Sequence, residues 1–235
     1  MFAAQPIIGD TLPEGHLVLT YDDGPGPNTL PVAEYLSEMG IEATFFVVGN
    51  SIEQMPDVPA RLRSLGHRLG NHTWTHYFQG LPKQLTDVGG GAVVDELMRT
   101  AALLSGEQSL AFRPPYGAWD DRLAAALNGD DILSPAHVGP FNWAIHCTDW
   151  KSWLLGEDPV SVAQCFCAEA RTKKQGIVLL HDYTAEAHNR PEPEFRLMAE
   201  RNRCVELTRA LVPMLRADGF RFVPLDDVPI PSGSG

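Results

Sequence analysis

Short apolar runs recur along this chain, and several stop abruptly at ionisable residues. Leu17-Val18-Leu19 leads through Thr20-Tyr21 to Asp22-Asp23-Gly24-Pro25, and Ile177-Val178-Leu179-Leu180 leads to His181-Asp182. Runs of this length, bounded by turn residues, predict buried strands at 17–21, 43–48, 67–71, 110–113, 139–146, 177–181 and 220–223. Between them, apolar residues at helical spacing predict helices near 29–39, 57–65, 92–105, 120–128, 159–173 and 200–216. Asn28 is the expected N-cap of the first helix, and Gly40, Gly66 and Gly106 are expected stops. Strands alternating with helices imply βα units and a parallel sheet. Chemistry gathered at the carboxyl ends of such strands is the layout of a β/α barrel.

The Asp22-Asp23 pair carries the sharpest chemical expectation. Two acids beside a core are costly unless a metal or a cation compensates them. Side chains alternate along a strand, so one acid can bind a metal while its neighbour stays available as a base. Candidate partners stand in Asn71-His72-Thr73-Trp74-Thr75-His76. Histidines at i and i+4 share one face of a helical turn, with roughly 5–6 Å between Cβ atoms, and can share a divalent ion. The zinc-protease signature needs Glu after the first His; Thr73 stands there. Asp23, His72 and His76 form a three-ligand set that leaves a position open for water. Asp22 is then the candidate general base, with Arg113 its expected partner. Taken singly, each piece also reads as a surface acid, a capping histidine or a structural ion pair.

Three further segments end in polar residues. They are Phe112-Arg113-Pro114-Pro115-Tyr116-Gly117, Trp143-Ala144-Ile145-His146-Cys147-Thr148-Asp149-Trp150, and Leu179-Leu180-His181. With these in place the chain resembles the NodB-homology polysaccharide deacetylases, carbohydrate esterase family four. That family carries TFDDGP, H-[ST]-x-x-H, R-x-P-[YF], D-x-x-x-W and L-x-H motifs in order. Thr20–Pro25, His72–His76, Arg113–Tyr116, His146–Trp150 and Leu179–His181 follow the same order, and the resemblance spans about 16–226.

The resemblance implies a distorted (β/α) barrel in one deacetylase domain across 1–235, and the Pro-, Gly- and Ser-rich composition of 229–235 predicts a loose tail. The resemblance also implies a metal-dependent hydrolase that removes N-acetyl groups from N-acetylglucosamine polymers or oligomers such as chitin or peptidoglycan. Asp22 becomes the general base and His181 the general acid. Arg113 supports the base, and Tyr116 lends a backbone N–H to an oxyanion hole. Pro115, Tyr116, Trp150 and Leu179 form the substrate pocket. The metal is one divalent ion, zinc first, with cobalt, nickel or manganese also suited to Asp23, His72 and His76. His146 departs from the pattern: the family places an Asp there to hydrogen-bond the catalytic histidine. Asp149 lies at an odd strand offset and is expected to point away. This departure keeps O-deacetylation of acetylated xylan open. A catalytically impaired carbohydrate-binding barrel is the third reading, disfavoured because Asp22, Asp23 and His181 are all present.

Composition narrows partners and setting. A length of 235 residues suits one barrel-sized core, and a net charge of −12 argues against binding a phosphate backbone. No apolar stretch is long enough to span a membrane. A monomer acting on an N-acetylated carbohydrate is expected. Met-Phe-Ala-Ala-Gln-Pro lacks the pattern of an intact signal peptide, and Phe-Ala-Ala reads as the tail of one removed. The expected setting is secreted or periplasmic, with the cytoplasm as alternative. Cys147, Cys165, Cys167 and Cys204 form no C-x-x-C pair and read as buried thiols more readily than as a disulfide. Gly89-Gly90-Gly91 reads as a plain loop, and His16, His67, His137 and His188 carry no assigned chemistry.

Overall fold

A computed structural model describes residues 2–76, 91–104, 106, 109–129, 136–185 and 193–230. His188 and Gly89-Gly90 lie outside them, as does the tail beyond 230. The strands are β1 (Phe2–Ile7), β2 (His16–Asp22), β3 (Thr44–Val47), β4 (Arg68–Asn71), β5 (Ser109–Phe112), β6 (Ala136–Phe141), β7 (Gly176–His181) and β8 (Arg221–Phe222). The helices are α1 (Thr29–Glu38), α2 (Gly49–Gln54), α3 (Val58–Ser64), α4 (Gly91–Leu103), α5 (Asp121–Asn128), α6 (Asp149–Leu155), α7 (Pro159–Lys173), α8 (Pro193–Arg201) and α9 (Cys204–Ala217).

The strands pair in parallel in the order β1-β6-β5-β4-β3-β2-β7, with β8 joining the start of β2. Closure is irregular. The Ile177 N–H donates to the Ile8 carbonyl at 2.9 Å, and Ala144 and Ile145 both donate to the Ile177 carbonyl. The ends of β1 and β6 thus bend onto β7, which gives the distorted barrel that the motifs imply.

Period-2 alternation sorts the apolar residues into two clusters. Leu17, Leu19, Tyr21, Phe45, Val47, Val178 and Leu180 pack outward with Val32, Leu36, Leu62, Phe166 and Leu211 of the helices. Val18, Phe46 and Ile177 face the other way, with Leu12, Phe141 and Leu225. Asp22 continues the face of Val18, and Leu179 and His181 continue the face of Ile177. Alternation therefore delivers these three side chains to the inner face at the carboxyl end of the barrel.

Several expectations change. β1 is absent from the predicted set, yet Phe2 and Ile7 are buried and the strand pairs with β6. Residues 2–7 are part of the sheet. β6 ends at Phe141 rather than 146, so the segment carrying His146 is not strand. The predicted helix at 200–216 is two, α8 and α9. Asn202 separates them: its Oδ1 accepts from the Cys204 N–H at 2.9 Å, a local bond that competes with helix. Asn28 sits at the N-cap of α1 without capping; its amide donates to Asn202 instead. Asp120 and Asp158 do cap α5 and α7 through side-chain oxygens, worth about 1 kcal/mol each. Gly40 and Gly66 terminate helices at φ 65° and 85°, as expected. Cys147 and Cys165 form a disulfide, contrary to the thiol expectation, while Cys167 and Cys204 are buried thiols.

Candidate metal and catalytic site

One cleft opens at the carboxyl ends of the strands, lined among others by Asp22, Asp23, His72, His76, Tyr116, Trp150, Leu179 and His181. Its acidic corner comes from the end of β2. Strict alternation would send Asp22 and Asp23 to opposite faces. Asp23 is left-handed, with φ 76°, and this turns its carboxylate back into the cleft. His72 Nε2 lies 3.6 Å from an oxygen of each acid. The following Gly24 has no room for a side chain, because a Cβ would meet the Asp182 carboxylate.

The histidine segment is not a helical turn. Asn71 Oδ1 accepts from the Thr73 N–H at 2.9 Å, and Thr73 and His76 have φ 68° and 56°. The short polar side chain of Asn71 and two β-branched threonines disfavour helix here. Glu96 on α4 holds the segment from outside. Its carboxylate accepts from the N–H of Trp74 at 2.9 Å and of Thr75 at 2.7 Å. The i, i+4 spacing brings the two rings together, at 4.8 Å between centroids, by a loop rather than a helix.

Asp23, His72 and His76 offer ligand atoms within 4.8 Å of one another, all three residues buried. Their chemistry fits a divalent ion on two further counts. Asp23 Oδ1 is buried with no hydrogen-bond donor among the described residues. His72 Nδ1 donates to the Arg113 carbonyl at 2.8 Å, leaving Nε2 to accept, the arrangement usual for metal-ligating imidazoles. Burial alone would raise the Asp23 pKa; His76, His72 and His181 outweigh it and hold the carboxyl well below its usual range.

Asp22 has a different partner. Arg113 is fully buried and its Nη1 reaches Asp22 Oδ1 at 2.6 Å and Thr20 Oγ1 at 2.9 Å. Nε donates to the Phe141 carbonyl at 2.7 Å, and the guanidinium lies over the Phe46 ring. With its donors satisfied, Arg113 is a fixed counter-ion for Asp22.

His181 is the register partner of Asp22 across β2 and β7. Its ring Nδ1 meets Asp149 Oδ1 at 2.7 Å, and its backbone N–H donates to Asp149 Oδ2 at 2.8 Å. Burial disfavours a charged imidazole, but Asp149 overrides it, with Asp23 and Asp22 adding, and the pKa is pushed up to about 10. The anionic partner of His181 is therefore Asp149 and not the residue at 146. His146 is exposed, its ring edge-on to Trp143 at the mouth of the cleft. The strand-offset argument fails because Asp149 opens α6 instead of continuing a strand. Helical signal was available in Asp149-Trp150-Lys151-Ser152-Trp153-Leu154-Leu155, where Trp153 is buried and Trp150 is 37% exposed.

Tyr116 has φ 59° in the turn Pro115–Gly117, with its ring 4.9 Å from His76. Pro115 is buried and is not among the residues lining the cleft. Phe195 and Met198 of α8 line the cleft and carry no motif that would have marked them. Asp182 is buried beside the site, hydrogen-bonded by Thr29; burial and the neighbouring Asp23 and Asp22 push its pKa up to about 7.

A parallel α/β barrel whose strand ends carry an Asp/His/His cluster between two carboxylate-bearing pairs defines a class of metal-dependent hydrolases. The polysaccharide deacetylase family profile matches residues 9–132, and the chain belongs to that family, the NodB-homology group. A chitooligosaccharide deacetylase of Rhizobium leguminosarum bv. trifolii is 32% identical over 213 residues, covering 87% of each chain. A peptidoglycan-N-acetylglucosamine deacetylase of Bacillus cereus is 31% identical over 169 residues, 70% of this chain and 58% of that protein. The solved structure of a polysaccharide deacetylase from Bacillus cereus superposes with a TM-score of 0.66 at 24% identity, covering 91% of this chain and 93% of that one. Metal dependence is general in this family. Among the described residues no helix is long and apolar enough to cross a membrane.

Proposed function

We propose that this chain hydrolyses the N-acetyl group of N-acetylglucosamine units in a poly- or oligosaccharide. The observation that carries this reading is the pairing of Asp22 with His181 on adjacent strands, each with its own counter-ion, Arg113 and Asp149, beside the Asp23–His72–His76 cluster. A divalent ion held by those three residues supplies Lewis acidity toward the acetyl carbonyl and makes water more acidic. Zinc is the first candidate, and cobalt, nickel and manganese suit the same donors.

Asp22, held by Arg113, accepts the proton of the attacking water as general base. Tyr116 is assigned the oxyanion-facing backbone N–H. His181 gives the proton of Nε2 to the departing nitrogen, because an amine leaves only once protonated. Asp149 occupies Nδ1, so the donated proton is the one facing the cleft. Leu179 and Trp150 wall the space for the acetyl methyl.

One relative described above is named for chitooligosaccharide and the other for peptidoglycan N-acetylglucosamine, which supports chitooligosaccharide or peptidoglycan as the substrate class. O-deacetylation gained weight from the departure at residue 146, and the Asp149–His181 pair takes that added weight away. We also propose a monomeric single domain acting outside the cytoplasm, a setting supported by the disulfide, since such bonds persist in oxidising compartments. The test is acetate release from chitooligosaccharides, peptidoglycan and acetylxylan, with and without chelator. Release from the N-acetylated substrates, lost on chelation and restored by zinc, is expected. Release from acetylxylan alone, or release that persists in metal-stripped protein, contradicts the proposal.

A further inference from the structure

Between Ile145 and Asp149 the chain leaves the sheet and must deliver a carboxylate to His181. Ile145 is fixed on β7: its N–H donates to the Ile177 carbonyl at 3.1 Å, and its carbonyl accepts from the Leu179 N–H at 2.9 Å. Asp149 is fixed by its two bonds to His181. Of the three residues between, only Cys147 packs against the main core cluster. His146 and Thr148 are exposed. Thr148 is left-handed at φ 47°, ψ 47°, an unfavourable conformation for a β-branched residue. The middle residue, Cys147, is joined to Cys165 on α7, with 6.2 Å between Cα atoms. That helix is itself anchored, since Val162, Ala163 and Phe166 lie in the main core cluster.

We propose that the Cys147–Cys165 disulfide is a positioning element for the proton donor. It ties the 146–148 segment to a core helix so that Asp149 meets His181, and its reduction lowers turnover without releasing the metal. Cys165 is exposed, so a thiolate can reach it. Reduction by a dithiol breaks the S–S bond, places two electrons and two protons on the cysteine sulfurs, and leaves the reductant as its own disulfide. The inference rests on His181 as general acid. A His181→Ala variant that keeps turnover sinks that reading by itself, whatever the bridge does.

A double-mutant cycle separates positioning from general stabilisation. Cys147→Ser/Cys165→Ser, Asp149→Asn and their combination are compared in the metal-loaded protein for kcat, KM, metal stoichiometry and melting temperature. Loss of the bridge should lower kcat by roughly 10-fold to 10²-fold, the scale of a small misplacement at a reacting group, with metal stoichiometry kept. In the Asp149→Asn background it should cost little more, because coupled residues are not additive. The groups facing His181 are Asp149, Asp22 and Asp23. The alkaline limb of the pH–rate profile should therefore move to lower pH in the bridge-less protein, as in Asp149→Asn. Fully multiplicative losses, or a lower melting temperature with an unmoved limb and kcat, overturn the proposal. If the serine variant does not fold, wild-type protein is titrated with dithiothreitol while thiols are counted. Parallel loss of kcat and disulfide is expected. Undiminished kcat after full reduction, or four free thiols before any reductant, overturns it.

Discussion

The metal cluster and the acid pair share one cleft but are assembled differently. His72 and His76 come from one short loop, and Asp23 from the end of β2, so the cluster draws on two segments that adjoin through β3. Asn71 and Glu96 brace the backbone between the histidines, and the Arg113 carbonyl holds the His72 ring. The pair His181–Asp149 joins residues 32 apart, one at a strand end and one at the first turn of a short helix. Local spacing determines the histidine pair, and the regular β2–β3–β4 register brings Asp23 to it. The acid pair depends on how an irregular segment crosses back over β7. Metal binding should therefore be robust to changes around residues 145–150, and proton donation should be sensitive to them.

The largest break is expected from His76→Ala, which removes one of three ligands. Acetate release should fall below detection while the fold survives, and an equilibrium metal titration should show tight binding lost. Unchanged stoichiometric metal in this variant would remove His76 from the cluster.

Arg113→Met comes next and strikes the fold as well. It leaves Asp22 buried without a counter-ion, at a cost of about 3–5 kcal/mol of stability, the usual effect of breaking a buried ion pair. Denaturant unfolding measures it; a loss within error would mean that Asp22 finds another partner.

Asp149→Asn sharpens the contrast. Its carboxylate is the main group raising the His181 pKa, so the substitution lowers that pKa. The acid must be protonated to act, and activity is lost as pH rises through its pKa. The alkaline limb should thus move to lower pH, by about 1–3 units, with metal affinity unchanged. His146→Asp should leave the limb nearly in place, because the anionic partner is already supplied by Asp149. A limb that moves with residue 146 and not with 149 reverses this account.

The smallest effect concerns Glu96→Ala, which frees the backbone between the two histidines. A roughly 10-fold weaker metal affinity is expected, at the low end for outer-shell support, with the alkaline limb unmoved.

The contrast also marks what the sequence makes legible. Motif order points to Asp22, Asp23, His72, His76, Arg113 and His181; the structure brings five of them to one cleft and buries Arg113 behind Asp22. Their local geometry is less accessible. The i, i+4 histidines imply a helix, but Asn71 and two threonines favour a turn. Asp22 and Asp23 suggest divergent faces, but a left-handed Asp23 brings them together. Asp149 is misjudged because Trp143–Trp150 looks like a strand, when only 144–145 bond to β7 before α6 begins. β1 escapes detection because Phe2-Ala3-Ala4-Gln5-Pro6-Ile7 is weakly patterned and gains its strand character from β6. The disulfide is a long-range pairing that spacing alone does not specify.

The division of labour between the adjacent acids is the centre of this account, and one measurement addresses it directly. Equilibrium metal titration of Asp22→Asn and Asp23→Asn, side by side, reports which carboxylate holds the ion. Asp23→Asn should lose tight binding. Asp22→Asn should keep it while turnover falls by roughly 10²–10⁴, the usual share of a general base. Tight binding retained in Asp23→Asn and lost in Asp22→Asn would contradict it.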